Sequence, residues 1–201
     1  MNFEVIKTNL QKCGYAVSCF ATAEEAAEYI DMKTDGKTVG FGGSVTLEQM
    51  GLYEKLITHN DVHWHQRIPS EKTSKEVRSS ASVAEVYVSS VNGIAETGEI
   101  VNIDATGNRV ASIFYGHEQV YLVVGKNKIA KNYDDALWRA RNIASPKNAK
   151  RLGVNTPCAR KADRCYNCNS AQRICRGLFV LWEKPLMSNI EILLIDEELG
   201  Y

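Results

Sequence analysis

Helical and extended segments alternate along the N-terminal third of the chain. Residues 22–30 (TAEEAAEYI) open with a capping threonine and are rich in Ala and Glu, which predicts a helix. Residues 37–41 (KTVGF) predict a short strand, and a second capped helix with an apolar stripe follows the glycines after it. Residues 61–65 (DVHWH) predict the next strand. This alternation is typical of a parallel sheet whose strands are joined by helices.

Strands dominate the middle of the chain. β-Branched and aromatic residues predict strands at residues 84–89, 100–104, 109–114 and 120–124. A helix is predicted at 134–143 with Pro146 ending or restarting it, and buried strands at 178–182 and 190–195. The polar, serine-rich stretch PSEKTSKEVRSSAS predicts a loop or an exposed helix. The predicted class is therefore α/β, with an open, mostly parallel and partly mixed sheet flanked by helices.

Bulk composition restricts the class of protein further. A chain of 201 residues with 44% apolar residues can form one domain, predicted over 1–201. Lys+Arg and Asp+Glu balance at 24 each, which does not favour nucleic acid or an anionic membrane as partner. The N-terminus lacks the pattern of a secretory signal, so a cytoplasmic location with reduced thiols is expected.

A glycine turn between a strand and a capped helix, GFGGSVTLEQMGL, is the first candidate site. Glycines allow an anion to approach the backbone, and a helix N-terminus offers free N–H groups. The alternative is a plain tight turn. The predicted ligand-binding residues here are Gly42, Gly43, Ser44 and Thr46.

A second polar motif, SVNGIAETGEIVNIDATGNRVAS, surrounds three glycines in the middle of the chain. The alternative reading is a hairpin of two strands joined by the Ala-Thr-Gly-Asn turn, with a solvated face. We expect Glu96 or Asp104 as general base if there is chemistry, and ligand binding by Thr97, Gly107, Asn108 and Arg109. Because ligands bind at the carboxyl ends of strands in α/β sheets, both motifs should converge on one pocket for a small anion. Arg109 would clamp the anion, assisted by N–H groups of the Gly43 turn.

Two histidines flank Trp64 in the segment DVHWH. The spacing of His63 and His65 could bind a metal, but no third ligand stands nearby in the sequence. A solvated strand face is the favoured interpretation.

Four cysteines near the C-terminus form a C-x6-C-x2-C-x6-C pattern within TPCARKADRCYNCNSAQRIC. They are Cys158, Cys165, Cys168 and Cys175. Disulfides are disfavoured in a reducing compartment, whereas grouped thiolates can hold zinc or an iron–sulfur cluster. The spacing alone does not choose between these metals. Residues 156–177 are therefore predicted as a metal-binding loop, with structurally unrelated cysteines as the alternative.

Several separated motifs together resemble the LUD-domain, or lactate-utilization, family. They are GGSVTLEQMGL, the second polar motif, VVGKNKIA, ARNIASPKNAKRLGVNTPC, NCNSAQRIC and the terminal ELGY. The resemblance implies a fold similar to the ribose-phosphate isomerase, glucosamine-phosphate deaminase and CoA-transferase group. It also implies a redox-linked role in oxidation of lactate to pyruvate, with iron–sulfur oxidoreductases as partner proteins. This association favours a [4Fe–4S] cluster on the cysteines.

A different class of function stays open beside this one. The chain could be a cofactor-free, isomerase-like or CoA-ester enzyme acting on a phosphorylated metabolite, with the cysteines as a structural zinc clip. A regulatory binding module is a third possibility. The sequence does not decide whether the protein is an enzyme.

Overall fold

The computed structural model describes residues 2–201 and contains two β-sheets. The strands are β1 (Ala16–Phe20), β2 (Thr38–Phe41), β3 (Asp61–Trp64), β4 (Val86–Ser90), β5 (Gly93–Ala95), β6 (Ile100–Asp104), β7 (Gln119–Gly125), β8 (Ile129–Ala130), β9 (Gly177–Leu181) and β10 (Ile190–Ile195). The helices are α1 (Glu4–Lys12), α2 (Ala23–Lys33), α3 (Val45–Gln49), α4 (Leu52–Leu56), α5 (Ser74–Ala81), α6 (Asn108–Phe114), α7 (Tyr133–Arg139), α8 (Ser145–Arg151) and α9 (Pro157–Lys161). A short 3₁₀ turn spans Lys126–Lys128, and a π-helical turn, Ala140–Ala144, joins α7 to α8.

The larger sheet has six parallel strands in the order β1-β10-β7-β4-β2-β3. Alternate residues of its central strands enter different cores. Val123 and Val88 pack with the helices α2 to α4, whereas Leu122 and Tyr87 pack with α1 and the second sheet. Both faces are therefore covered, as parallel sheets require. The predicted α/β class, with an open sheet flanked by helices, is confirmed.

The second sheet is mixed and has the order β8-β5-β6-β9. Its central pair β5–β6 is antiparallel, and β8 joins β5 in parallel. The mixed strands predicted for one sheet thus form a separate small sheet. Its residues Ile94 and Ile100 are fully buried in the core beneath the parallel sheet.

The strand predicted at 109–114 is wrong, because this segment forms α6. Gly107 has a φ of 88° and takes the helix-start position. The Asp104 carboxylate accepts hydrogen bonds from the backbone N–H groups of Thr106 at 3.0 Å and Gly107 at 2.8 Å. These contacts satisfy donors at the turn into the helix, so local capping outweighs the β propensity of the apolar residues that follow. The hairpin alternative is wrong for the same reason.

Two ambiguous segments are helical. The serine-rich stretch contains α5, whose N-terminus has a capping box between Thr73 and Glu76. Pro146 lies in a continuous helical stretch, because the π-helical turn Ala140–Ala144 leads directly into α8 with helical backbone at Ala144; the predicted end or restart at Pro146 is therefore wrong. No helix within residues 2–201 has the length and apolarity needed to cross a membrane.

Candidate functional site

A cavity of about 430 Å³ opens at the carboxyl edge of the parallel sheet. Four of the residues that line the cavity lie shortly after strands of the parallel sheet. They are Gly43 after β2, His65 after β3, Asn92 after β4 and Lys128 after β7. Parallel strands place their carboxyl ends at one edge, which explains why distant segments meet here.

The opposite wall comes from the second sheet and the helices after it. The lining residues there include Asp104, Thr106, Asn108, Arg109, Ser145, Asn148, Arg151 and Ile174. Ile174 belongs to the cysteine segment, and the backbone N–H of Arg176 donates to the Asp104 carbonyl at 3.0 Å. The cysteine segment is thereby attached to the cavity wall.

The glycine turn and the second polar motif meet at this cavity, as expected from the sequence. Gly43, Ser44 and Thr46 line it from one side, and Asp104, Asn108 and Arg109 from the other. Gly42 lies behind the lining, where a Cβ would come within 3.1 Å of Arg109 Cγ. Gly107 supplies the left-handed turn before α6. Ligand binding by these residues stays a prediction.

Glu96 and Thr97 are not among the residues that line the cavity. They lie between β5 and β6, where the Glu96 carbonyl accepts a 2.7 Å hydrogen bond from the Asn9 side chain. The prediction of Glu96 as general base therefore has no geometric support, because a base must reach the substrate. Asp104 remains as the carboxylate at the cavity.

Arg109 is held by the protein through its whole guanidinium group. Nη1 donates to the Ser90 carbonyl and Asn102 Oδ1, and Nη2 donates to Asn92 Oδ1 and the Ile103 carbonyl. Nε lies 3.2 Å from Asp104 Oδ2. Four of the five N–H donors of the guanidinium are thus hydrogen-bonded within the protein, and Nε is ion-paired with Asp104. Arg109 therefore positions the cavity wall, and its predicted role as an anion clamp stays a prediction.

Lys128 is the least expected member of the site. Its side chain is 4% exposed, and Nζ donates to Thr46 Oγ1 at 2.7 Å and to Ser90 Oγ at 2.8 Å. Burial, followed by the charges of Arg139 and Arg109, holds the pKa of Lys128 well below its ordinary value of 10.5. A buried amine with a lowered pKa at a cavity is typical of a functional group.

Positive charge accumulates in the cavity around His65. Arg78, from α5, lines the cavity with His65, and Arg151, from α8 on the opposite wall, also acts on His65 through its charge. Burial, together with the positive charge of Arg78, lowers the pKa of His65 to about 4. The Nε of Arg78 is buried and has no hydrogen-bond partner among the described residues. Among the described lining residues, Asp104 is the only one with a side-chain carboxylate.

Sequence reasoning missed Lys128, Arg78 and His65. The predicted solvated face for His65 is wrong, because the residue follows β3 and turns into the cavity. A signal existed for Lys128, since a lysine in VVGKNKIA follows a buried strand at the sheet edge. No signal existed for Arg78, because it lies in a polar helix and the sequence does not show which face of that helix borders the cavity.

The four C-terminal cysteines do not form a metal centre in this structure. Cys158 lies on α9, beside Thr156 Oγ1 at 3.2 Å, and the other three follow in irregular backbone. Arginines contact two of them: Arg141 reaches Cys165 Sγ at 3.7 Å and Arg173 reaches Cys175 Sγ at 3.4 Å. Across residues 2–201, no three Cys, His, Asp or Glu side chains are grouped closely enough to hold a metal ion. The spread of the thiols gives no support to either predicted metal, and the metal centre stays a prediction.

The fold and cavity define a class: an α/β protein with a basic cavity at the carboxyl edge of a parallel sheet. The LUD domain family matches residues 3–195, and the chain belongs to this family. A DUF162 family protein from Deinococcus radiodurans, known from its crystal structure, has a similar fold. Its TM-score is 0.52 at 11% identity, covering 96% of this chain and 94% of that one.

A second solved structure is more distant. Ribose 5-phosphate isomerase from Plasmodium falciparum gives a TM-score of 0.32 at 15% identity, covering 54% of this chain and 52% of that one. No curated protein matches the chain. The LUD family is associated with lactate utilization.

Proposed function

We propose that this protein acts in the oxidation of lactate to pyruvate and binds the carboxylate of such a small acid in the cavity at the sheet edge. The observation that carries the proposal is the uncompensated positive charge of the cavity. Arg78 and Arg151 have no carboxylate partner at the lining, since Asp104 is already bound to Arg109. Positive charge at a cavity without a carboxylate partner is stabilised by a bound anion.

Arg78 is the proposed clamp for the carboxylate. Its Nη1 donates to Ser74, whereas its buried Nε lacks a partner and can donate to a ligand. An unsatisfied buried donor is costly, and a carboxylate would satisfy it through a charge-assisted hydrogen bond. Arg151 is exposed at the mouth, where its guanidinium bonds to Asn148 Oδ1 and can attract the anion.

The redox part of the proposal rests on the family and on the cysteine pattern. We propose a [4Fe–4S] cluster on Cys158, Cys165, Cys168 and Cys175, with iron–sulfur oxidoreductases as partner proteins. When bound, such a cluster would supply one-electron transfer. The spacing supports a metal centre without choosing the metal, the positive charges of Arg141 and Arg173 would offset thiolates, and the choice of iron–sulfur rests on the family association. The loop would have to close up around the cluster.

Isothermal titration calorimetry with lactate, pyruvate, ribose 5-phosphate and a CoA ester tests the anion site. Lactate or pyruvate should bind, and Arg78→Gln should weaken binding roughly ten- to hundredfold, the equivalent of about 1.5–3 kcal/mol for a lost charged contact. Lys75→Gln is the matched control, because Lys75 is exposed on the same helix and does not line the cavity.

The result also separates the two classes of function. Tight binding of the sugar phosphate or the CoA ester, without binding of either acid, would replace this proposal with the isomerase-like or CoA-ester alternative. Circular dichroism of each variant checks that the fold is retained.

A further inference from the structure

The hydrogen bonds around Lys128 fix where its donors and its lone pair point. Ser90 Oγ donates its single hydrogen to the Val123 carbonyl at 2.6 Å. Thr46 Oγ1 donates its own to the Leu199 carbonyl at 3.3 Å. Toward Lys128, both hydroxyls can therefore act only as acceptors.

A neutral amine matches this arrangement. It has two N–H groups, which the two hydroxyls accept at 2.7 and 2.8 Å, and one lone pair that remains unused. An ammonium would carry a third hydrogen, and no carboxylate among the described residues forms an ion pair with Lys128. Burial of an unpaired charge is unfavourable, and the surroundings lower the pKa of Lys128 accordingly.

Access to the cavity completes the geometry. Lys128 lines the cavity although it is almost entirely buried, so its exposed remainder faces the ligand space. The same space is bordered by the proposed carboxylate clamp, Arg78. Both residues line one cavity of about 430 Å³, which has room for a small 2-oxo acid.

We propose that Lys128 is a nucleophile that forms an imine with the carbonyl carbon of a 2-oxo acid bound in this cavity. This inference rests on the proposed anion site and names the class of ligand that the site takes. The lone pair of Nζ attacks C2 of the acid and gives a carbinolamine. The two amine hydrogens and the former carbonyl oxygen then leave as one water molecule, and a C=N bond remains. No electron is gained or lost, so no further reactant is required.

Reductive trapping tests the inference on the full chain. The protein is incubated with pyruvate and sodium cyanoborohydride, digested and mapped by mass spectrometry. Lys128 should carry the reduced adduct at least about tenfold above Lys126, since each unit of pKa depression increases the neutral amine about tenfold at neutral pH. Lys126 is a matched control in the same turn, half-exposed and paired with Asp196 at 2.9 Å. Lactate has no carbonyl and should leave Lys128 unmodified.

The outcomes separate the imine from the anion site. Pyruvate binding in calorimetry without an adduct on Lys128 would overturn the inference and leave the proposed function standing. Neither binding nor adduct would overturn both. Equal modification of Lys128 and the exposed lysines would also overturn the inference, because it would show an unselective reaction. Adduct mapping on the wild-type protein tests the inference without any variant. A folded Lys128→Met variant should in addition lose the adduct.

Discussion

Lys128 Nζ donates a 2.7 Å hydrogen bond to Thr46 Oγ1 across 82 positions of sequence. Thr46 lies on α3 after β2, and Lys128 ends the turn after β7, so the contact spans the intervening strand β4. Ser90, the last residue of β4, accepts from the same amine at 2.8 Å. One buried amine therefore connects the carboxyl ends of three strands. The same amine is the group of the cavity to which we assign chemistry.

The first prediction concerns the pH dependence of stability. Lys128 in the unfolded chain titrates near 10.5, and its pKa in the folded protein is far lower. Between these two values the unfolded state binds more protons, so the free energy of unfolding should rise with pH. Relative to Lys128→Met, the wild type should gain up to about 1.4 kcal/mol per pH unit in this window. Urea unfolding at a series of neutral and alkaline pH values measures it. Identical slopes in both proteins would contradict the prediction, and Lys126→Met should keep the wild-type slope.

Elements that depend on contacts between neighbours in the sequence were predicted better than elements that depend on other contacts. The helix cap at Thr22 and the strand at β10 follow from local patterns, and both are present. The segment of α6 has an apolar composition that favours a strand, and it becomes a helix because Asp104 and Gly107 form its start. The hydrogen bond from the Gly107 N–H to the Asp104 carboxylate joins residues three positions apart, and it outweighs the β propensity of the segment.

The chemistry of the cavity was less predictable than its position. Glycine turns after strands marked the correct edge of the sheet. The contacts of Arg109 could not be predicted, because its partners Asn102, Asn92 and Ser90 come from other elements and only the fold brings them to it. Lys128 was overlooked because its position after a buried strand does not by itself show that a lysine will be buried without a carboxylate.

The second prediction concerns Arg109 as a positioning residue. Arg109→Lys keeps the charge but cannot replace four hydrogen bonds in a planar arrangement. Several acceptors, including Asn102 Oδ1 at 2.6 Å, would each lose one donor. The free energy of unfolding should fall by about 2–4 kcal/mol. Urea denaturation measures the change, with Lys75→Gln, an exposed site, expected within about 0.5 kcal/mol of wild type. A loss that small for Arg109→Lys would show that its contacts are not structural.

The third prediction uses His65 as a sensor of the bound anion. Its pKa is about 4 because of burial and the charge of Arg78, in that order. An anion between the arginines and the imidazole would favour the protonated ring, so saturation with pyruvate should raise the pKa. Two-dimensional NMR of the ring protons follows the titration. His117 serves as the control, because its Nδ1 contacts the Ala84 carbonyl just before β4 and the residue does not line the cavity. Burial lowers the pKa of His117, and this pKa should not change with pyruvate. An unchanged pKa of His65 would place the ligand elsewhere.

The fourth prediction concerns Gly200, which covers Lys128. Its φ is 62°, and a Cβ there would lie 2.5 Å from Thr46 Oγ1 and 3.3 Å from Lys128 Nζ. Gly200→Ala should therefore destabilise the fold by about 1–3 kcal/mol, through backbone strain and through displacement of Thr46. Gly36→Ala separates these causes, because Gly36 has a φ of 63° and nothing within 4 Å of its Cβ position. It should cost only the strain of about 1 kcal/mol. Equal losses at both sites would show that contact with Thr46 is unimportant.

The last prediction concerns the metal content of the cysteine segment. A metal bound by the thiolates of this segment would add stability directly. Protein purified without oxygen should contain iron and acid-labile sulfide in equal amounts, and lose both in Cys165→Ser/Cys168→Ser. Cys13→Ser is the control, because Cys13 lies beside Gly98, outside residues 156–177, and should leave the content unchanged. One zinc per chain without sulfide would support the structural clip, and the absence of both metals would refute the metal centre.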